Sequence, residues 1–140
     1  MSVFTSPAII RFRQADPGGI AFFGQAYSIA HDAYEDFVRH LGFEWKEWFA
    51  NETWAVPIRQ SSCEHLIPLF PSASCEVRVT LDSIGTSSFG AKYEIMVNGR
   101  VCSEVRLVHV FIDKQKRAKM DIPSTIRSRL ESYQKQSLTS

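Results

Sequence analysis

The sequence predicts an α+β domain in which one long central helix, striped with apolar residues, is wrapped by a five-stranded, largely antiparallel sheet. Three observations carry this. From Gln25 to Leu41 the apolar residues recur at three- and four-residue steps, as one face of a helix requires. In "SCEVRVTLDSIG" they alternate, with Cys75, Val77, Val79 and Leu81 on one side and Glu76, Arg78, Thr80 and Asp82 on the other, the period of a half-buried strand. Asn98-Gly99 lies between two strand-like runs, a dipeptide suited to a two-residue hairpin turn. A striped helix and a one-faced sheet can bury each other.

Taken in order, "PAIIRFRQ" reads as the first strand, ended by a turn at Asp16 to Gly19. Ala26, Ile29, Ala30, Ala33, Tyr34, Phe37 and Leu41 form the apolar side of the helix, with Asp32, Glu35, Asp36 and Arg39 opposite. Gly42 stops it where a left-handed residue is wanted. "EWKEWFANE" adds a short helical turn, and "WAVPIRQSSCEHL" is strand-like, with Pro57 marking a sheet edge or a strand start. "SSFGAKYEIMVNGRVCSEVRLVHVFID" supplies two strands around Asn98-Gly99 and "KQKRAK" a basic turn. "PSTIRSRLESYQKQ" is a short closing helix with Pro123 near its start. No repeat or linker divides the chain, so residues 1–140 read as a single domain.

Composition narrows the partners. A hydrophobic content of 44%, a charged content of 22% and a net charge of +1 describe an ordinary globular protein. Nothing there calls for nucleic acid or an anionic membrane. "MSVFTSPAIIRF" lacks a secretory leader's pattern, and no run approaches the length of a membrane span. Cys63, Cys75 and Cys102 are widely spaced and odd in number, which argues against a disulfide framework and against a zinc site. A cytoplasmic setting is expected, with the cysteines as small apolar strand residues and no metal.

The candidate chemistry lies in "RQADPGGIAFFGQAYSIAHDAYEDF". Pro17 biases Asp16 towards an extended backbone, and Gly18-Gly19 allows close approach of another molecule. "IAFF" is too apolar for a solvated loop and can line a pocket. The helix then starts at Gly24 or Gln25 without Ser, Thr, Asp or Asn as a cap, which leaves its first N–H groups and dipole to an outside acceptor. A carboxylate followed by a donor-rich helix end suits attack on an acyl carbonyl. Asp-Pro-Gly is also an ordinary turn former, so the residues alone leave both readings open.

"ADPGGIAFFGQAY" followed by a long helix resembles the Asp-Pro-Ala-Gly-Ile signature of 4-hydroxybenzoyl-CoA thioesterases, hotdog-fold acyl-CoA thioesterases. The likeness in element order runs along nearly the whole chain, down to the Ile122-Pro123 step into the last helix. The resemblance implies thioester hydrolysis, with Asp16 as nucleophile or general base, Gly19 as the family glycine, and the Phe23 N–H polarising the thioester carbonyl. It implies no cofactor, coenzyme A being part of the substrate, and a homodimer or a dimer of dimers with the acyl group between one subunit's helix and its neighbour. Phe23, Gln25 and Ala26 depart from residues common in the family, which bears on the acyl preference.

On that reading Phe22, Phe23, Tyr27, His31 and Tyr34 line the acyl pocket, and an aromatic or short acyl chain is expected. His31 meets a polar group of the substrate or, alternatively, pairs with Glu35. Lys114, Lys116, Arg117 and Lys119, with the hydroxyls of Ser87 and Ser88, are candidates for the CoA phosphates; a basic turn also serves solubility. His65 and His109 receive no role. A hydratase or dehydratase is the alternative enzyme, disfavoured because Ala21 stands where a second proton-transferring residue is wanted, and a non-catalytic acyl-thioester-binding scaffold is the alternative outside enzymes.

Overall fold

A computed structural model of the chain describes residues 3–11, 24–70 and 72–138. The elements run β1 (Phe4–Ile9), α1 (Gln25–His40), α2 (Trp45–Phe49), β2 (Trp54–Ala55), β3 (Ile58–His65), β4 (Ser74–Ile84), β5 (Ser88–Val97), β6 (Arg100–Val110), β7 (Ile112–Asp113), β8 (Ala118–Lys119) and α3 (Ser124–Leu138). Five strands pair in the order β1-β4-β5-β6-β3, each neighbour antiparallel. The β5–β6 hairpin turns at Asn98 (φ 52°) and Gly99 (φ 75°), the positive-φ pair that matches the twist of the flanking strands.

Alternation sorts the sheet into two faces. Cys75, Val77, Val79, Leu81, Phe89, Ala91, Tyr93, Ile95, Val105 and Leu107 are buried in the core. The helical stripe Ala26, Ile29, Ala30, Ala33, Tyr34, Phe37 and Val38 closes onto that core, and α1 packs against β1, β4, β5 and β6. On the opposite face Arg106 reaches across β5 to grip Asp82 with two bonds of 2.6 and 2.9 Å. The crossing needs Gly90, since a methyl there would meet both partners. The Arg106 guanidinium holds the Asp82 carboxyl below its usual range.

β1 ends opposite Val79, while β4 continues to Ile84. The uncovered edge of β4 is met by α3: Tyr133 donates to the Val79 carbonyl and Gln134 to the Leu81 carbonyl. Covering a bare edge this way removes a site for pairing with a foreign strand.

The sequence-based expectation needs three corrections. α1 has 16 residues and the closing helix, expected to be short, has 15, so no single long helix dominates. Ile126, Leu130 and Tyr133 are buried at helical spacing, and this stripe extends α3 well past its first turn. The third correction concerns "WAVPIRQSSCEHL", which breaks at Val56-Pro57 into β2 and β3. β2 leaves the main sheet to join β7 and β8 in a second sheet of order β2-β7-β8. Cys63, Cys75 and Cys102 do lie in strands, as free thiols.

Candidate active site

Helix α1 starts as its sequence requires. Gly24 is the N-cap, no side-chain cap bond is made to the first turn among the described residues, and no acidic residue lies in that turn. The free N–H groups and the positive end of the dipole are therefore not quenched by a neighbouring oxygen of the helix itself.

Beside this helix lies an open cleft of about 430 Å³. Tyr27, Ser28, His31 and Asp32 wall it from one flank of α1, Ile58 and Ser61 from β3, and Leu107 from β6. Tyr27 and His31, both expected at an acyl pocket, are brought together here. One wall of the cleft is β3, an edge strand of the five-stranded sheet. Its walls combine aromatic and aliphatic surface with an imidazole, three hydroxyls and a carboxylate, a mixture that suits a compact ligand with both apolar and polar parts.

Tyr34 does not line this cleft. Its side chain is in the core, where its hydroxyl accepts a 2.6 Å bond from the Trp48 indole N–H. Burial pushes its pKa up. The Tyr34 ring contacts His31 at 5.5 Å on one side and stacks on His109 at 4.1 Å on the other. His109 in turn stacks on Phe89 at 4.8 Å, so a column of rings runs from the cleft wall into the core.

His109, to which sequence reasoning gave no role, is the buried member of this column. It is fully buried, its Nε2 lies 3.1 Å from the Tyr93 hydroxyl, and its Nδ1 has no hydrogen-bond partner among the described residues. Burial, reinforced by nearby His31, drives its pKa down to about 3, so the ring is neutral at neutral pH. A signal for it exists in the sequence: His109 continues the alternation of Val105 and Leu107 on the core face.

The residues expected at the CoA phosphates lie elsewhere. Ser87 lies just before β5 and Ser88 begins it, beside Phe111 and Val110 respectively. Lys114, Lys116, Arg117 and Lys119 are exposed on the β7–β8 hairpin. None of these lines the cleft. Asp16, Gly19, Phe22 and Phe23 lie outside the described residues. Among the described residues no group of His, Cys, Asp or Glu could hold a metal ion, and no helix is long and apolar enough to cross a membrane.

Comparison with known proteins agrees with this architecture. The chain is 30% identical over 128 residues to the 1,4-dihydroxy-2-naphthoyl-CoA hydrolase of Nostoc punctiforme, a match spanning 91% of this chain and 86% of that one. A 1,4-dihydroxy-2-naphthoyl-CoA thioesterase from Synechocystis superposes with a TM-score of 0.84 at 20% identity, covering 92% of this chain and 96% of that one. A gentisyl-coenzyme A thioesterase superposes with a TM-score of 0.82 at 22% identity, covering 91% and 99%. The neighbours share the hotdog arrangement of helices on an antiparallel five-stranded sheet. Residues 10–130 match the thioesterase-like superfamily as a whole, and the chain belongs to that family.

Proposed function

We propose that this protein hydrolyses an aromatic or other compact acyl-CoA to the free acid and CoA. The observation that carries the reading is the juxtaposition of a helix start without a side-chain cap and an aromatic-walled cleft along the same helix. Membership of the thioesterase-like superfamily and the hydrolase in Nostoc punctiforme support the reaction class. In the proposed mechanism Asp16 attacks the thioester carbonyl directly or activates water. The Phe23 N–H and the dipole of α1 receive the charge that develops on the carbonyl oxygen, a contribution of about 3 kcal/mol per donor. Gly19 lets the substrate approach the backbone, and Phe22 and Phe23 join Tyr27 around the acyl group.

His31 is assigned to a polar substituent of the acyl ring. That preference accords with a relative whose substrate is a dihydroxynaphthoyl thioester. We further assign the working unit to a homodimer or a dimer of dimers, supported by the position of the cleft at the open edge strand β3. Sedimentation in solution checks the assembly. Incubation with hydroxyaryl, short-chain and long-chain acyl-CoAs, recording free thiol, tests the reaction. Thiol release fastest from the hydroxyaryl ester is the expected result. Binding without release, or addition of water to an enoyl-CoA, would overturn it in favour of a binder or a hydratase.

A further inference from the structure

Resting on the thioesterase reading, we propose that buried His109 is a positioning residue: through Tyr34 it fixes where the His31 imidazole stands in the cleft, and so sets the preference for acyl rings that carry a hydroxyl. Strand register puts His109 under the cleft. It opposes Ile58 across the β3–β6 ladder, and directly opposed residues share a face of the sheet. Leu107, two residues earlier in β6, projects to that same face. Ile58 and Leu107 are both walls of the cleft.

Tyr34 connects His109 to the third wall residue, His31. The two are three positions apart on α1, close enough to touch along the helix, and their rings meet at 5.5 Å and 54°. Tyr34 has little freedom of its own. The Trp48 indole N–H donates to its hydroxyl at 2.6 Å, and Phe49 meets its ring edge-on at 5.7 Å. His109 lies almost parallel to it, at 4.1 Å and 18°. On its other side His109 stacks on Phe89 at 4.8 Å and 24°, and a 3.1 Å bond between its Nε2 and the Tyr93 hydroxyl fixes the rotation of the ring. In so close-packed a stack, turning one ring moves the next, and His31 rests on the last of them.

Packing alone does not account for a histidine at this place. Its Nδ1 is buried with no hydrogen-bond partner among the described residues, a cost that a phenyl ring would not carry. Burial keeps the imidazole neutral at neutral pH, so it brings no charge to the cleft. What it has and a phenyl ring lacks is the nitrogen bonded to Tyr93. A phenyl ring would fill the same space between Tyr34 and Phe89 but could turn in it. The imidazole therefore gives the stack a fixed plane, and that plane is passed on to His31.

The test compares kcat/KM for a hydroxyaryl-CoA with that for the same aryl-CoA lacking the hydroxyl. His31→Ala is expected to lower this ratio about tenfold, the scale of one lost hydrogen bond. His109→Phe and Tyr93→Phe, which frees the imidazole while leaving it in place, are each expected to lower it about threefold. In the His31→Ala background the same two substitutions are expected to leave the ratio where it is, because their effect passes through His31. A structural role alone would slow both esters equally, so an unchanged ratio in the single variants overturns the proposal, as does a further fall in the His31→Ala background. Where His109→Phe does not fold, Tyr93→Phe decides. A second readout is the nuclear Overhauser contact between the His31 and Tyr34 ring protons, expected in the parent and weakened in Tyr93→Phe. An equal contact in both overturns the proposal. If neither ester is hydrolysed, the thioesterase reading fails instead, and the Overhauser contact alone decides whether His109 positions His31.

Discussion

At its C-terminal end helix α1 is closed several times over. Gly42 adopts φ +97°, its N–H bonds the Arg39 carbonyl at 2.9 Å, and the Phe43 N–H bonds the Val38 carbonyl at 3.3 Å, the double bond pattern that ends a helix in a left-handed residue. The Arg129 guanidinium donates to the Leu41 carbonyl and sits over the Phe43 ring at 5.2 Å. Arg39 and His40 add basic side chains to the last turn. At the N-terminal end Gly24 offers no side-chain oxygen and the first turn holds no carboxylate. Both ends carry partial charges of similar size. Stability alone would favour satisfying both, and under the proposed function the N-terminal end, which has no side-chain cap among the described residues, serves an acceptor that arrives with the substrate.

The two ends are tied together by the middle of the helix, where Tyr34 lies on His109, and breaking that tie has the largest expected effect. An unfolded histidine titrates near 6.5, whereas folded His109 titrates at about 3. Between these values the unfolded chain binds a proton that the folded chain refuses. Its contribution is intact above pH 6.5, and stability is lost as pH falls towards 3, by roughly several kcal/mol. Urea unfolding at pH 7 and pH 4 should show a larger loss in the parent than in His109→Phe. Equal losses would remove His109 from the account.

Capping the bare end comes next. Gly24→Asp supplies the missing oxygen and a negative charge. It should raise stability by a few tenths of a kcal/mol, while kcat falls by about 100-fold as the oxyanion site is filled. Unchanged turnover would mean that the helix start does not face the reaction.

At the closed end Gly42→Ala must hold φ +97° and displace Arg129, at a cost of about 1–2 kcal/mol. Its turnover should stay within about twofold of the parent, because the site is at the other end. Arg129→Ala removes the bond to Leu41 and the contact with Phe43, and its midpoint shift should correspond to about 1 kcal/mol or less. Denaturant midpoints with activity on the same samples distinguish the two ends: stability without rate at one, rate with little stability at the other.

This asymmetry was legible in the sequence. Gly42 after the apolar stripe and the lack of a capping residue before Gln25 are both visible in the string, as are the alternation in β4 and the Asn98-Gly99 turn. Two-residue strands such as β2, β7 and β8 carry no period, so the small sheet was not. Tyr34 is instructive. The same helical stripe that lists it with Ala30 and Phe37 puts it in the core, while Tyr27 and His31, outside the stripe, reach the cleft. The ring column beneath them joins α1 to β5 and β6 across long sequence separations, which local pattern does not reveal.

The most direct measurement is the turnover of 1,4-dihydroxy-2-naphthoyl-CoA by the parent and by Asp16→Asn, with the fold of both verified by circular dichroism. The account predicts thiol release by the parent and a fall in kcat of about 1,000-fold in the variant, with unchanged secondary structure. A folded Asp16→Asn protein that releases thiol at the parental rate would contradict it.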